Sequence, residues 1–280
     1  MIIALFPNPE KIAALHIAKE IAAFLSDKKI TIVADEEHAG ELNAATIRSV
    51  PKERISFRIS LGGDGTILRM VHCYPEIDAP ILGINQGSLG FMADIKISEI
   101  FTALESLLSG NYQVQQRLMM EGVNVETQQR GFAVNEIVTH RASIPSLIDL
   151  SIHVDEQYLN TFSADGIIVA TPNGSTAYSL AAGGPILTPE LDAFVITPIS
   201  PHTISNRPIV LSPQKKIDLK YLSAYAPVEI SFDGLFNIPL KKGETLRITC
   251  SKKRFPLVSF PNHDFFHTLR SKLGWSGKLR

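Results

Sequence analysis

The residues best equipped for chemistry are Gly62-Gly63-Asp64-Gly65-Thr66, directly after the apolar Ile59-Ser60-Leu61 and before Ile67, Leu68 and Met70. A strand, a glycine loop and a helix in that order gather backbone N–H groups at a helix N-terminus, where they and the helix dipole attract anions. Glycines leave no Cβ in the way and permit positive φ, so Gly62, Gly63, Gly65 and Thr66 read as a phosphate-donor loop for a polyphosphate ligand. Asp64 stands inside it, where a carboxylate is a poor phosphate binder but a good proton acceptor or hydroxyl positioner. A plain turn is the competing reading, because Gly and Asp dominate turns. The spacing matches neither Gly-x-Gly-x-x-Gly nor Gly-x4-Gly-Lys-Ser/Thr, so dehydrogenase and P-loop NTPase readings lose their main support.

Three further segments and two arginines carry polar groups where a ligand is a good reason for them. Asn85 to Phe91, after the apolar Pro80 to Ile84, has glycines that let a flat ligand approach the backbone, with Phe91 as an aromatic wall or as a buried loop residue. Asn135 and Glu136 interrupt the strand-like run Phe132 to Thr139; the amide suits an adenine edge and the carboxylate suits ribose hydroxyls, unless Glu136 merely occupies a solvated face. Asp165 to Tyr178 is a strand ending in a hydroxyl-rich, Pro- and Gly-broken loop, with Tyr178 placed to stack on a ring; a packed turn is the alternative. Arg69, a helical turn past the glycine loop, and Arg207 have the fork geometry that holds phosphate oxygens, although most arginines are solvated. No His or Cys spacing indicates a protein-bound metal, so the metal expected is Mg²⁺ arriving with nucleotide phosphates.

These groups need a scaffold, and 280 residues with 45% hydrophobic content can build one or two cores. The first hundred residues alternate short apolar runs (Ile2 to Phe6, Thr31 to Ala34, Ile55 to Leu61, Ile81 to Ile84) with helical spacing at Ile12, Leu15, Ala18, Ala22 and Leu25, at Gly65 to His72 and at Ser98 to Leu108. That pattern predicts a Rossmann-like parallel sheet covered by helices, an α/β domain over 1–110. Short Val-, Ile-, Thr- and Phe-rich runs then predict an all-β domain over 111–260, and Asp264 to Leu273 regains helical spacing, a C-terminal helix over 261–280 able to pack back on the first domain.

Composition narrows the function. Lys+Arg 27 against Asp+Glu 28 gives a net charge of −1, with no basic field to select nucleic acid or an anionic membrane. Apolar runs are strand-length, and the N-terminus lacks the pattern of a signal peptide. Cys73 and Cys250 are too few for a disulfide framework, which fits a reducing, cytoplasmic location.

Taken in order, Leu61 to Thr66, the Asn85-to-Phe91 loop, Asn135-Glu136, Asp165 to Pro185, Pro201 to Pro208 and Ser231-Phe232-Asp233-Gly234 resemble the motif series of the NAD kinases. The glycine loop alone is shared with diacylglycerol and sphingosine kinases; Thr171-Pro172-Asn173-Gly174-Ser175-Thr176-Ala177-Tyr178 is what resembles the NAD kinase branch. The resemblance implies an α/β domain, a β-sandwich domain, an active site in the cleft between them, and a homo-oligomer, a tetramer or dimer. It implies an enzyme that transfers the terminal phosphoryl group of ATP, or of another donor, to the 2′-hydroxyl of the adenosine ribose of NAD, giving NADP. Carried over, Asp64 is the proton acceptor with Gly65 beside it, and Asn135 and Glu136 meet the NAD nucleoside. Ser163, Asp165, Thr176, Ala177, Tyr178, Ser179, Leu180 and Ala181 line the dinucleotide site, with Arg69 and Phe91 as neighbours. Two positions depart from the family: Ala181 and Leu235 stand where Ser and Gln are common. A lipid or other small-molecule kinase, or a dinucleotide sensor without turnover, are the alternatives; the first would ignore NAD and the second would bind it unchanged.

Overall fold

The computed structural model describes residues 1–87, 89–203, 205–261 and 264–275. In chain order the elements are β1 (Ile2–Pro7), α1 (Ile12–Asp27), β2 (Thr31–Ala34), β3 (Ala45–Thr46), β4 (Ile55–Gly62), α2 (Asp64–Cys73), β5 (Ile81–Asn85), β6 (Ile95–Lys96), α3 (Ile100–Leu108) and β7 (Gln113–Arg117). There follow β8 (Met120–Asn124), β9 (Arg130–Ala133), β10 (Glu136–His140), β11 (Ile148–Val154), β12 (Gln157–Ala164), β13 (Gly166–Ala170), α4 (Tyr178–Ala181), β14 (Phe194–Ile199) and β15 (Ile209–Leu211). The chain ends through β16 (Ile217–Tyr221), β17 (Val228–Phe232), β18 (Phe236–Leu240), β19 (Thr245–Cys250), β20 (Phe255–Ser259) and α5 (Phe265–Leu273). Two compact units result, Met1–Gln116 with the chain from Phe255 onward, and Arg117–Arg254.

In the first unit the sheet runs β3-β2-β1-β4-β5-β20-β7, with β6 on β5; the pairings β1–β2, β1–β4, β4–β5 and β5–β20 are parallel. Helices cover both faces of such a sheet, so its central strands read as continuous apolar runs: Ile3 to Phe6 and Ile81 to Ile84 are buried throughout. α1 turns Ala14, Ile17, Ala18, Ile21, Ala22 and Leu25 inward at three- and four-residue spacing. Ile12 is a correction to the expected stripe: it is 93% exposed, because it opens the helix before the first turn reaches the sheet. Strand order reverses at β1, which has β2 on one side and β4 on the other. A reversal of this kind leaves a crevice at the carboxyl ends of the two diverging strands, and the glycine loop after β4 opens there.

The second unit holds two antiparallel sheets, β15-β14-β13-β10-β17-β18 and β12-β11-β16-β19-β8-β9, that form a β-sandwich. Its core is one cluster drawn from both sheets, including Ile137, Ile167, Phe194, Phe232, Leu150, Leu219, Tyr221 and Leu246. The run Phe132 to Thr139, read from sequence as one strand, is instead two: β9 ends at Ala133 in one sheet and β10 begins at Glu136 in the other. Three consecutive amides between them turn to a side chain and not to a neighbouring strand, which ends the ladder. Among the described residues no helix is long and apolar enough to cross a membrane.

Candidate functional site

In the first unit β4 delivers the chain to Gly62, and α2 begins two residues later at Asp64. A Cβ on Gly62 would stand 2.2 Å from Thr66 Oγ1, so close packing of strand end on helix start demands glycine. Gly63 and Gly65 have open space where a Cβ would go, and Gly63 is extended at φ −155°. Their contribution is therefore an unobstructed backbone and not the left-handed conformation expected from sequence. Thr66 Oγ1 accepts from the Gly63 N–H at 3.4 Å, which occupies the threonine hydroxyl with its own loop. The amides that open a helix lack partners within it, so this loop presents donors to an anion.

Asp64 is the first residue of α2, and its carboxylate is held by a distant turn. Oδ1 accepts from the Met92 N–H at 3.0 Å and the Ala93 N–H at 2.8 Å, and Oδ2 accepts from the Phe91 N–H at 2.8 Å. The turn closes on itself through the Gly90 N–H donating to the Ala93 carbonyl at 2.9 Å. Gly90 is the residue that permits this: a Cβ there would lie 2.1 Å from Asp64 Oδ1. The Phe91 ring lies 5.7 Å from that of Phe265 on α5, so the C-terminal helix packs against this turn. Arg69 pairs with Glu10 Oε1 at 3.2 Å on the surface. Arg207 donates to the Asn206 carbonyl at 2.7 Å.

Two further polar residues neighbour the loop: Asn8, unmarked in the sequence, and Gln86, which stands in the Asn85-to-Phe91 segment without an expected role. Asn8 follows β1, and its N–H donates to the Leu61 carbonyl at 2.9 Å, stitching the diverging strands together. Gln86 donates its N–H to the Gly62 carbonyl at 2.8 Å, and both polar atoms of its side chain are buried without a protein partner. Neither has a local signature; both are found by their position at the strand ends. Ser88, within the same segment, and Ile204 lie outside the described residues.

In the second unit Asn135 and Glu136 sit together, each 8% exposed. The Asn135 carbonyl accepts from the Thr171 N–H at 2.8 Å, its side-chain Oδ1 accepts from Asn173 Nδ2 at 3.1 Å, and Arg117 Nη1 donates to Asn173 Oδ1 at 2.6 Å. Gly174 allows this approach, since a Cβ there would be 2.2 Å from the Asn135 carbonyl oxygen. Glu136 Oε2 is buried without a hydrogen-bond partner. Burial first, and the negative charge of Asp233 second, push the Glu136 carboxyl up to about 8. Arg117 is the member of this cluster that the sequence did not point to; Asn173 and Asp233 stand in segments singled out above but had no individual role.

The remaining expected residues fall into two groups. The Ser163 hydroxyl donates to Asp149 Oδ1, and Asp165 Oδ1 accepts from Arg141 Nε at 2.6 Å, so both are oriented on neighbouring side chains. Thr176 to Ala181 pass from a short turn into α4: Tyr178 is 45% exposed and Ala181 exposed, whereas Ser179 is fully buried with its hydroxyl 3.0 Å from Thr197 Oγ1. Leu235 is 44% exposed. The first unit thus offers an anion-binding loop with a fixed carboxylate. The second offers an amide, a buried carboxyl, hydroxyls and an exposed ring, the groups that recognise a nucleoside.

Comparison with known proteins agrees with this division. The chain matches the ATP-NAD kinase N-terminal domain over residues 3–112 and the ATP-NAD kinase C-terminal domain over residues 134–260. It is 59% identical over 278 residues to an NAD kinase of Protochlamydia amoebophila (strain UWE25), covering 99% of each chain. It is 36% identical over 281 residues to one of Geotalea daltonii, covering 98% of each. Among solved structures, yeast NADH kinase complexed with NADH superposes with a TM-score of 0.90 at 26% identity, over 100% of this chain and 89% of that one. An NAD kinase from Archaeoglobus fulgidus in complex with ATP superposes with a TM-score of 0.75 at 26% identity, over 96% of this chain and 98% of that one.

Proposed function

This chain belongs to the NAD kinase family and phosphorylates NAD to NADP with ATP as a substrate, and from that premise we propose which of its residues do so and how. Phosphoryl transfer asks for in-line placement, neutralised charge and a group to take the hydroxyl proton, most of it positioning and electrostatics. Asp64 takes the proton of the adenosine-ribose 2′-hydroxyl as that oxygen attacks the terminal phosphorus of ATP, the bond from that phosphorus to the bridging oxygen breaks, and ADP leaves with the electron pair. The loop of Gly62, Gly63, Gly65 and Thr66 faces the donor phosphates, with the Gly63 and Thr66 amides already engaged inside the loop by Thr66 Oγ1 and the Gly63 carbonyl. Asn135 and Glu136 meet the nucleoside, and Ser163, Asp165 and Thr176 through Ala181 line the dinucleotide, with Arg69 and Phe91 near by.

The observation that carries this reading is the hold on Asp64. Three backbone amides fix its two oxygens at the head of α2, beside glycines whose faces are open. A carboxylate oriented by backbone needs no reorganisation when the hydroxyl arrives. Among the described residues no group of three or more His, Cys, Asp or Glu converges. The metal proposed is a Mg²⁺ that arrives with the phosphates of ATP, for which one or two carboxylates of the protein suffice. Bound in that way, the ion would neutralise charge on the transferring group. Cytoplasmic location and a homo-oligomeric state complete the proposal, the latter to be read by light scattering on the purified protein.

The test couples NADP formation from NAD, ATP and Mg²⁺ to an NADP-specific dehydrogenase, with Asp64→Asn run beside the wild type. Turnover is expected from the wild type alone, with NAD affinity retained in the variant. Near-wild-type turnover in Asp64→Asn would remove Asp64 from the role of proton acceptor.

A further inference from the structure

The turn that presents Asn135 and Glu136 is built on a third side chain, to which phosphoryl transfer itself assigns no task. Asp233 is 9% exposed and lies between β17 and β18. Its Oδ2 accepts from the Val134 N–H at 2.8 Å, and its Oδ1 accepts from the Asn135 N–H at 2.8 Å and the Glu136 N–H at 3.1 Å. Its own N–H donates to the Glu136 carbonyl at 3.0 Å. Asp233 and Gly234 both adopt the left-handed region, with φ 51° and 69°. An asparagine would tolerate that backbone, but its Nδ2 could not accept from the Val134 N–H, so three amides arriving at two oxygens call for a carboxylate. The turn thereby sets a carboxylate against a second carboxyl, Glu136, whose Oε2 is buried with no hydrogen-bond partner.

We propose that Asp233 is a positioning residue for the reaction: it shapes the 134–136 turn through three amides, and its charge adds to burial in favouring the protonated form in which Glu136 meets the dinucleotide. The inference rests on the reading that Glu136 contacts NAD. Two carboxyl groups in one buried site resist ionising together. Both Asp233 oxygens accept from amides while Glu136 Oε2 has no donor, so the proton of the pair is favoured on Glu136, the direction of its raised value of about 8. A neutral Glu136 can donate as well as accept, and adds no negative charge opposite a ligand that carries a diphosphate. Among the described residues, the charge that acts on Glu136 is that of Asp233. Its strand partner on β13 is Ala170, and the 171–174 turn contributes Asn173, behind which Arg117 is engaged by the Asn173 carboxamide.

The experiment measures NAD affinity by calorimetry, and kcat and KM, from pH 6 to about 9.5 for wild type, Asp233→Asn, Asp233→Glu and Glu136→Gln, a range that spans the raised carboxyl value. In the wild type, affinity should weaken along an alkaline limb centred near pH 8, and the limb should be absent in Glu136→Gln. Asp233→Asn should move the limb to lower pH by about one unit, since a like charge is gone. Asp233→Glu keeps the charge but misplaces the oxygens, so its limb should stay while affinity at pH 7 falls about tenfold, the worth of one net hydrogen bond. A limb that persists in Glu136→Gln, or that stays put in a folded Asp233→Asn, overturns the proposal. If Asp233→Asn does not fold, unchanged affinity in Asp233→Glu overturns it. Wild-type protein that makes NADP but shows no limb sinks this inference alone, whereas protein that makes no NADP sinks the functional reading beneath it.

Discussion

Gly90 touches no substrate in the proposed reaction, yet replacing it with alanine should disable Asp64. The added Cβ would stand 2.1 Å from Asp64 Oδ1, 2.8 Å from its Cγ and 2.9 Å from the Ala93 carbonyl oxygen, where ordinary contact begins at 3.4 Å. The oxygen must therefore retreat by 3.4 − 2.1 = 1.3 Å, or the turn must open by as much. Either movement breaks the two hydrogen bonds that Oδ1 accepts from Met92 and Ala93, and the Phe91 bond to Oδ2 follows if the carboxylate rotates away. Hydrogen bonds to a charged group are worth about 1.5–3 kcal/mol each, so the native arrangement loses roughly 3–6 kcal/mol against its alternatives and ceases to be the populated one. A misplacement of about 1 Å at a reacting group costs on the order of 100-fold in rate. The coupled NADP assay on Gly90→Ala should show kcat reduced by about that factor with KM for NAD little changed, and circular dichroism should report an intact fold. Gly87→Ala is the control on the same loop, because the nearest atom to its Cβ is Asn85 Oδ1 at 3.9 Å. Gly90→Ala with kcat within a few-fold of wild type would refute the claim that the backbone hold on Asp64 matters to the reaction.

Other perturbations follow from the second unit. Glu136 has a folded value of about 8 against an ordinary 4.5, so the folded state holds the proton more tightly. Its stabilising contribution is complete below the ordinary value and is lost as pH rises through about 8; urea unfolding should show wild type losing about 1–2 kcal/mol relative to Glu136→Gln between pH 7 and 9, and a flat difference would contradict the burial argument. Gly174→Ala places a Cβ 2.2 Å from the Asn135 carbonyl oxygen and should raise KM for NAD more than it lowers kcat, measured in the same coupled assay. Ser175 is fully buried, donates to the Pro172 carbonyl at 2.6 Å and accepts from the Leu187 N–H at 3.0 Å. Ser175→Ala strands the Leu187 N–H, while the Pro172 carbonyl keeps the Ser175 N–H at 3.2 Å, and should lower stability by about 1–3 kcal/mol in denaturant unfolding, with a change under about 0.5 kcal/mol arguing that the hydroxyl bonds are not made in solution.

What the sequence determined by itself was local. Strands such as Thr31–Ala34, Ile217–Tyr221 and Val228–Phe232 follow from short apolar runs bounded by turn residues, and they occur where those runs predict. The strand–loop–helix unit around Asp64 is likewise legible, because glycine spacing and helical periodicity are properties of neighbouring residues. Edge strands were harder to read: β12 is largely exposed and lacks the apolar pattern that burial imposes. Tertiary structure alone decided the partners of the buried polar groups. Asp64 lies 27 to 29 residues from the amides that hold it, and Asp233 lies 97 to 99 residues from those that it holds. A carboxylate and an amide carry no mark of their pairing along the chain. Both must be satisfied once water is removed, and only the packing of turns from separate strands brings them within reach. For the same reason the break between β9 and β10 is invisible in an apolar run. It exists because three amides, satisfied by Asp233, are not available to a strand.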